Sequence, residues 1–432
     1  MMIIKYVQLI LFIITQVLFK ITQILFIVLK SIYSYMLKPI IEYLYFKKFY
    51  YLKIVNIKEF NNKNIEYFLI KDKDDIILYE SKFVDSSNRN CERKKIIVKK
   101  PEMYVARIKN VNIFGASNII KYDKIFGFFD MALSKECHRY DFRDGVIRYN
   151  YGRNFIIKCN VKDSKQNIIE KGILLSGTAS INYFHFLFEF IPKLSLIENL
   201  SLNEDYPLII IKKILNIKQL FEILQYYSNN KDFVAIEEHK QYYVKDLIFP
   251  SLLTWMPLNV KKDEILKIGD IVIDKQVVDY LRKVINDLNP QYKKKRKKKI
   301  YLHRKNYNSH YRRLVNENDV VNFFIKEGYE IVSPELMTFK EQVKLFSSAS
   351  HIAGPTGAAF SNIVFAPEKC KILCFQATKL QTDPWSIIAN YLNQDVLLIN
   401  GDVEILNKDM FLYQQDYFIS IVKIKKALNI LG

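Results

Sequence analysis

The chain has 432 residues, half of them apolar, enough to bury a sizeable core in two or three domains, so a disordered or fibrous protein is excluded. Its formal net charge of +20 favours anionic partners (nucleic acid, acidic lipid head groups or the phosphates of a small donor) without choosing among them. The cysteines Cys91, Cys137, Cys159, Cys370 and Cys374 are scattered, without the CxxC spacing of a zinc or redox site, and read as reduced thiols in a reducing compartment.

From Met1 to Leu37 the chain is almost wholly apolar, broken by Lys5, Lys20, Lys30 and a few Gln, Thr and Ser, and no acid precedes Glu42. At about 100° per residue these polar positions fall within one half of a helical wheel, which predicts a retained amphipathic helix rather than a cleaved leader. A spanning helix would carry Lys20 near mid-bilayer at a cost of about 2.5–3.5 kcal/mol. The lopsided wheel also suits a helix lying in the membrane interface, its lysines toward lipid phosphates. Lys38, Lys47 and Lys48 follow the apolar stretch while Lys5 alone precedes it, so either mode leaves the globular part at the cytoplasmic, inner face of the cell membrane.

Residues 50 to about 170 read as short β-runs with polar turns. After Gly172 the pattern changes to a helix over 182–199, a strand over 208–211, a helix over 216–227 and a strand over 233–236, an alternation that implies a parallel sheet. The seven-residue basic run from Lys293 to Lys299 lacks interleaved aromatics and reads as an exposed linker, not as a nucleic-acid platform. Beyond it come a strand over 300–303, a helix capped by Asn316 and ended by Gly328, and a strand over 329–332. A helix with the capping box Thr338/Glu341 leads to a strand over 351–353, and a strand over 371–375 completes the series. The predicted layout is a membrane-associated segment 1–49, a first lobe 50–290, a nucleotide-binding lobe 291–400 and a tail 401–432. The fold class is α/β, two Rossmann-like lobes around a cleft.

Two constellations carry chemistry. The turn Gly354-Pro355-Thr356-Gly357 joins a strand's carboxyl end to a helix start, where glycines admit a ligand to the backbone and free N–H groups favour a phosphate. Arg304, Arg312 and Arg313 bring guanidinium groups to the same sheet edge. The second is the stripe Asn182, His185, Glu189 and Lys193 on an otherwise apolar helix, with Pro192 expected to kink it. His185, oriented by Glu189, suits proton removal from an acceptor hydroxyl. No HExxH or DxD arrangement stands at a strand end, so no metal is expected.

The ordered set Asn182-Tyr183-x-His185, Glu189, Pro192-Lys193, Arg304, Arg312-Arg313-Leu314-x-Asn316-Glu317, Gln342 and Gly354-Pro355-x-Gly357-Ala358-Ala359-x-x-Asn362 resembles glycosyltransferase family 61 over roughly residues 172–378. That resemblance implies a GT-B fold, inverting transfer from a nucleotide sugar without an obligatory metal or other cofactor, and a role in capsular or other surface polysaccharide biosynthesis. It assigns His185 or Glu189 as base, Arg304, Arg312, Gly354, Thr356, Gly357 and Asn362 to the donor, and Asn182 and Lys193 to the substrate. The partners it implies are a nucleotide sugar and a glycan or lipid-linked acceptor, with no nucleic acid. Two departures stand out: Thr356 where the family commonly has His, and Lys193 where it commonly has Arg. A fold-sharing carbohydrate-binding protein without turnover is the competing class, and a nucleic-acid-binding protein rests on charge alone.

Overall fold

A computed structural model describes residues 17–18, 20–37, 40, 49–55, 57–59, 62–84, 94–122, 126–129, 147–151, 154–158, 167–198, 200, 206–256, 265–291, 298–304, 312–377, 383–403, 406 and 411–432. The first part of the expected amino-terminal helix, Cys91, Cys137, Cys159 and most of the basic run lie outside them. Residues 20–32 are helical and exposed all round, Ile24, Leu25, Phe26 and Ile27 being 58–68 % accessible. Among the described residues no helix is long and apolar enough to cross a membrane.

The expected β-rich part and the expected parallel part are one continuous mixed sheet. Its parallel half is ordered Phe233–Ile236, Leu208–Ile211, Ile168–Leu174, Gln241–Pro250. The last of these pairs antiparallel with the long strand Met103–Phe114, from which the antiparallel part extends. Leu208-Ile209-Ile210-Ile211 is buried at all four positions, as a strand covered on both faces requires.

The second sheet is wholly parallel, ordered Glu330–Val332, Lys298–Leu302, Ala349–Pro355, Lys371–Gln376, Asp395–Asn400. The chain therefore steps outward from Lys298–Leu302 in one direction for its second strand and in the other for its third. The carboxyl ends of Lys298–Leu302 and Ala349–Pro355 flank the point of reversal, where an open α/β sheet leaves a crevice for ligands. Gly354 (φ +150°) permits their close approach, because a Cβ there would lie 2.7 Å from the Leu302 carbonyl oxygen.

One face of this sheet packs under Val320 and Phe324 and under Ile424 and Ala427 of the last helix, Ile421–Leu431. The other face shares one hydrophobic core with the first sheet, through Phe339, Phe346, Phe360, Ile363 and Ile388. Polar ties cross the same layer. Arg282 donates to the carbonyls of Val364 (2.5 Å) and Ala366 (2.9 Å), Tyr391 to that of Ile273 (2.9 Å), and Gln219 to those of Glu335 and Met337. Residues 81–84 cross over to the edge of the second sheet. There Phe83 bridges Leu398 in parallel, the Leu398 N–H donates to Lys82 O (2.8 Å), and Ser81 bonds the Asp383 carboxylate.

Candidate active site

The stripe-bearing helix starts where expected, but Asn182, expected as a substrate contact, stands at its N-cap and accepts from the N–H groups of Phe184 (3.0 Å) and His185 (3.4 Å). It does not continue as a regular α-helix. Tyr183–His185 forms one α-turn, Phe186–Phe190 a π-turn closed by Ile191 N–H on Phe186 O, and Ile191–Leu196 a 3-10 segment. Pro192 has no N–H to offer the Phe188 carbonyl, and the pitch changes at that point. His185 Nδ1 lies 2.8 Å from Glu189 Oε1; the carboxylate side chain is 6 % exposed and the imidazole 21 %. Lys193 extends inward, its ammonium over the rings of Phe190 (5.5 Å) and Phe249 (5.6 Å).

At the crevice of the second sheet, Arg304 follows the strand Lys298–Leu302 and lays its guanidinium on Gly357: a Cβ at Gly357 would stand 2.2 Å from Nη2. Arg304 Nη1 also donates to the Arg312 main-chain carbonyl (3.3 Å), and the charges of both arginines act on the Tyr417 phenol. Arg312 holds a left-handed φ of +57°. Arg313, expected beside them, instead forms a two-pronged pair with Asp416 (2.6 and 2.8 Å) on the surface. The helix after Gly357 is a 3-10 segment, Ala358–Phe365, whose leading N–H groups face the turn as at any helix start.

Two expected donor contacts are engaged inside the protein. Thr356 Oγ1 accepts from Trp385 Nε1 (3.0 Å) and its hydroxyl bonds the buried Cys374 thiol, which burial holds far above its usual pKa. Asn362, fully buried, accepts from Tyr183 Oη (2.7 Å) and donates to Gln342 Oε1 (2.7 Å) and Ala359 O (3.2 Å). Burial pushes the Tyr183 phenol well above its ordinary pKa, so it stays a neutral donor to Asn362. Short amide and hydroxyl side chains at these two positions thus tie the turn and its helix to the stripe.

The two constellations are neighbours. The Phe184 ring meets Trp385 edge-on at 5.6 Å, and the same indole bonds Thr356. Tyr183 and Asn362 make the second link.

Sequence reading passed over His303 and took Glu317 only as part of a motif. Glu317 opens the helix Glu317–Lys326 and accepts from the Arg304 backbone N–H, with His303 Nε2 4.0 Å from its Oε1. Burial raises its pKa above the usual carboxylate value. The only local signal was position, since His303 and Arg304 follow a strand and Glu317 begins the next helix. Among the described residues no group of three or more His, Cys, Asp or Glu side chains converges as for a metal.

No curated protein matches the chain. Residues 183–373, from the stripe to the strand after the glycine turn, match the family described as glycosyltransferase 61. This stretch contains the imidazole–carboxylate pair, the arginines and the Gly354–Gly357 turn, and so the chain carries a glycosyltransferase 61 domain and is a transferase that moves a glycosyl group from a sugar donor to an acceptor.

Proposed function

We propose that the donor is a nucleotide-diphosphate sugar and that transfer to a glycan or lipid-linked acceptor inverts the anomeric centre, in the assembly of a surface polysaccharide. The observation that carries this reading is the Arg304 guanidinium lying on Gly357 at the reversal point of the parallel sheet, beside Arg312. Two guanidinium groups and the amides of a helix start complement the charge that grows on a departing diphosphate. On the other side of Trp385, His185 with its Nδ1–H donated to Glu189 has Nε2 as its basic nitrogen. In this reading Nε2 removes the acceptor proton and Glu189 fixes the tautomer and offsets the imidazolium charge. The two-sheet arrangement is then a GT-B architecture whose first sheet supplies the base and whose second supplies the donor site.

The exposed apolar helix over 20–32, with Lys20 and Lys30, supports attachment to an anionic membrane on its cytoplasmic side, where a lipid-linked acceptor would be presented. Transfer assays with a panel of nucleotide sugars test the reaction. His185→Ala is expected to abolish turnover while nucleotide affinity and melting temperature stay at wild-type values; normal turnover in that variant removes His185 from the chemistry.

A further inference from the structure

Two buried polar atoms close to Arg304 are left without a hydrogen bond by the protein: Glu317 Oε1 and Tyr301 Oη. Tyr301 is fully buried on the strand that leads to Arg304, and Glu317 and Arg304 are among the charged groups that act on its phenol. The Glu317 side chain keeps 22 % of its surface open. Its carboxylate is held by the Arg304 N–H, with His303 Nε2 4.0 Å from Oε1, beyond hydrogen-bond reach. A buried acceptor without a donor is costly, and native proteins rarely keep one without a use or a bound partner.

We infer that Glu317 is a recognition group for a sugar hydroxyl of the donor, next to the diphosphate held by Arg304. This rests on the donor reading above. A carboxylate accepts and does not donate, so it suits a group bearing O–H or N–H. It repels phosphate oxygens, which confines it to the uncharged part of the ligand. The hydroxyl donates to Oε1 and supplies the partner that atom lacks within the protein. A nucleotide sugar offers such hydroxyls on its ribose and on its transferred sugar.

Titration calorimetry on the full chain separates the cases. Inorganic pyrophosphate, UDP, GDP, CDP and ADP are titrated first, then the 2′-deoxy form and the parent nucleotide sugar of whichever diphosphate binds. In the wild type, the hydroxyl that Glu317 reads contributes about tenfold or more in affinity, the range for a hydrogen bond to a charged group. If it is the ribose hydroxyl, the 2′-deoxy form loses that factor; if it lies on the transferred sugar, the nucleotide sugar gains it over the bare diphosphate. In Glu317→Ala the increment disappears while pyrophosphate binds at least as tightly as to the wild type. Glu317→Gln, which keeps a carbonyl acceptor, retains part of it and serves should the alanine variant not fold. An increment that survives in both variants, or one absent from the wild type, overturns the inference and leaves the diphosphate site standing. Failure of pyrophosphate and every nucleotide to bind the wild type overturns the donor reading, and this inference with it.

Discussion

Two glycines three residues apart give the sharpest test of the crevice, because an added methyl group meets different obstacles at each. In Gly357→Ala the new Cβ would stand 2.2 Å from Arg304 Nη2 and 3.2 Å from Cζ, inside the carbon contact distance of about 3.5 Å. The obstacle is the tip of a long side chain, so the guanidinium swings away and the backbone stays. If Arg304 holds the donor diphosphate, losing one charge-assisted hydrogen bond costs about 1.5–3 kcal/mol. That corresponds to roughly a 10- to 150-fold weaker Kd for a nucleoside diphosphate, with little change in melting temperature. In Gly354→Ala the methyl meets Leu302 O at 2.7 Å and Leu302 N at 3.2 Å, backbone atoms of the neighbouring strand, at a φ of +150°. Nothing there yields, and strain of about 1–3 kcal/mol lowers the melting temperature itself. Calorimetry with UDP and GDP beside thermal denaturation reads both quantities. A Gly357→Ala protein that binds nucleotide like the wild type would refute the placement of the diphosphate at Arg304.

Other substitutions probe the same framework. Arg312→Gly relieves a left-handed residue, worth about 1–2 kcal/mol, against a glycine backbone penalty of about 0.5–1 kcal/mol. Its melting temperature should therefore hold while nucleotide affinity falls; a protein that melts well below wild type would make the Arg312 side chain a structural prop instead. Lys100, 3 % exposed, pairs with the equally buried Asp274, and Lys100→Met strands that carboxylate at a cost of about 3–5 kcal/mol, measurable by urea unfolding. Hydrogen bonds from the Thr338 N–H and hydroxyl hold the Glu341 carboxyl below the ordinary glutamate pKa. A depressed pKa contributes stability above the unfolded value and loses it as pH falls through the folded one, so wild type and Glu341→Gln should converge in stability in acid.

What could be read in the sequence was whatever is decided within one turn of chain. The Thr338/Glu341 capping box and the strands over 208–211 and 233–236 stand where local pattern puts them, whereas Asn182, expected on the stripe toward substrate, caps the helix start. Asn316 was expected to cap a helix by the same logic. Its amide instead donates to Ile419 O (2.9 Å) and accepts from Ile419 N–H (3.2 Å), since a partner 103 residues away outcompetes the local one. Arg313 is drawn off to Asp416 by a contact of equal range. The expected regular helix over 182–199 failed for a local reason that was half seen: Pro192 was noted as a kink, but its missing N–H is accommodated by a change of pitch spread over two turns. The strand-like crossing of residues 81–84 had no local signature, because its pairing edge comes from Leu398.

The residues that carry the family resemblance divide by what they touch, and the division bears on how the site works. Tyr183, Asn362 and Gln342 form a buried chain of hydrogen bonds, Asn182 holds a helix start, Asn316 anchors the segment at Ile419, and Gly354 lets two strands close up. These set positions. In the proposed reading, His185 with Glu189, Arg304 on Gly357, Arg312 and Glu317 supply the charge and proton chemistry on that frame. The frame joins helices of both sheets through one shared apolar core and side-chain bonds to backbone carbonyls, contacts that resist sliding because their acceptors cannot rotate away. If the proposed base and donor site are right, both are mounted on one packed layer and held at fixed separation before substrate arrives. Their effect on the rate then depends on preorganisation, so substitutions in the tying chain, Asn362→Ala above all, should lower kcat more than they weaken nucleotide binding.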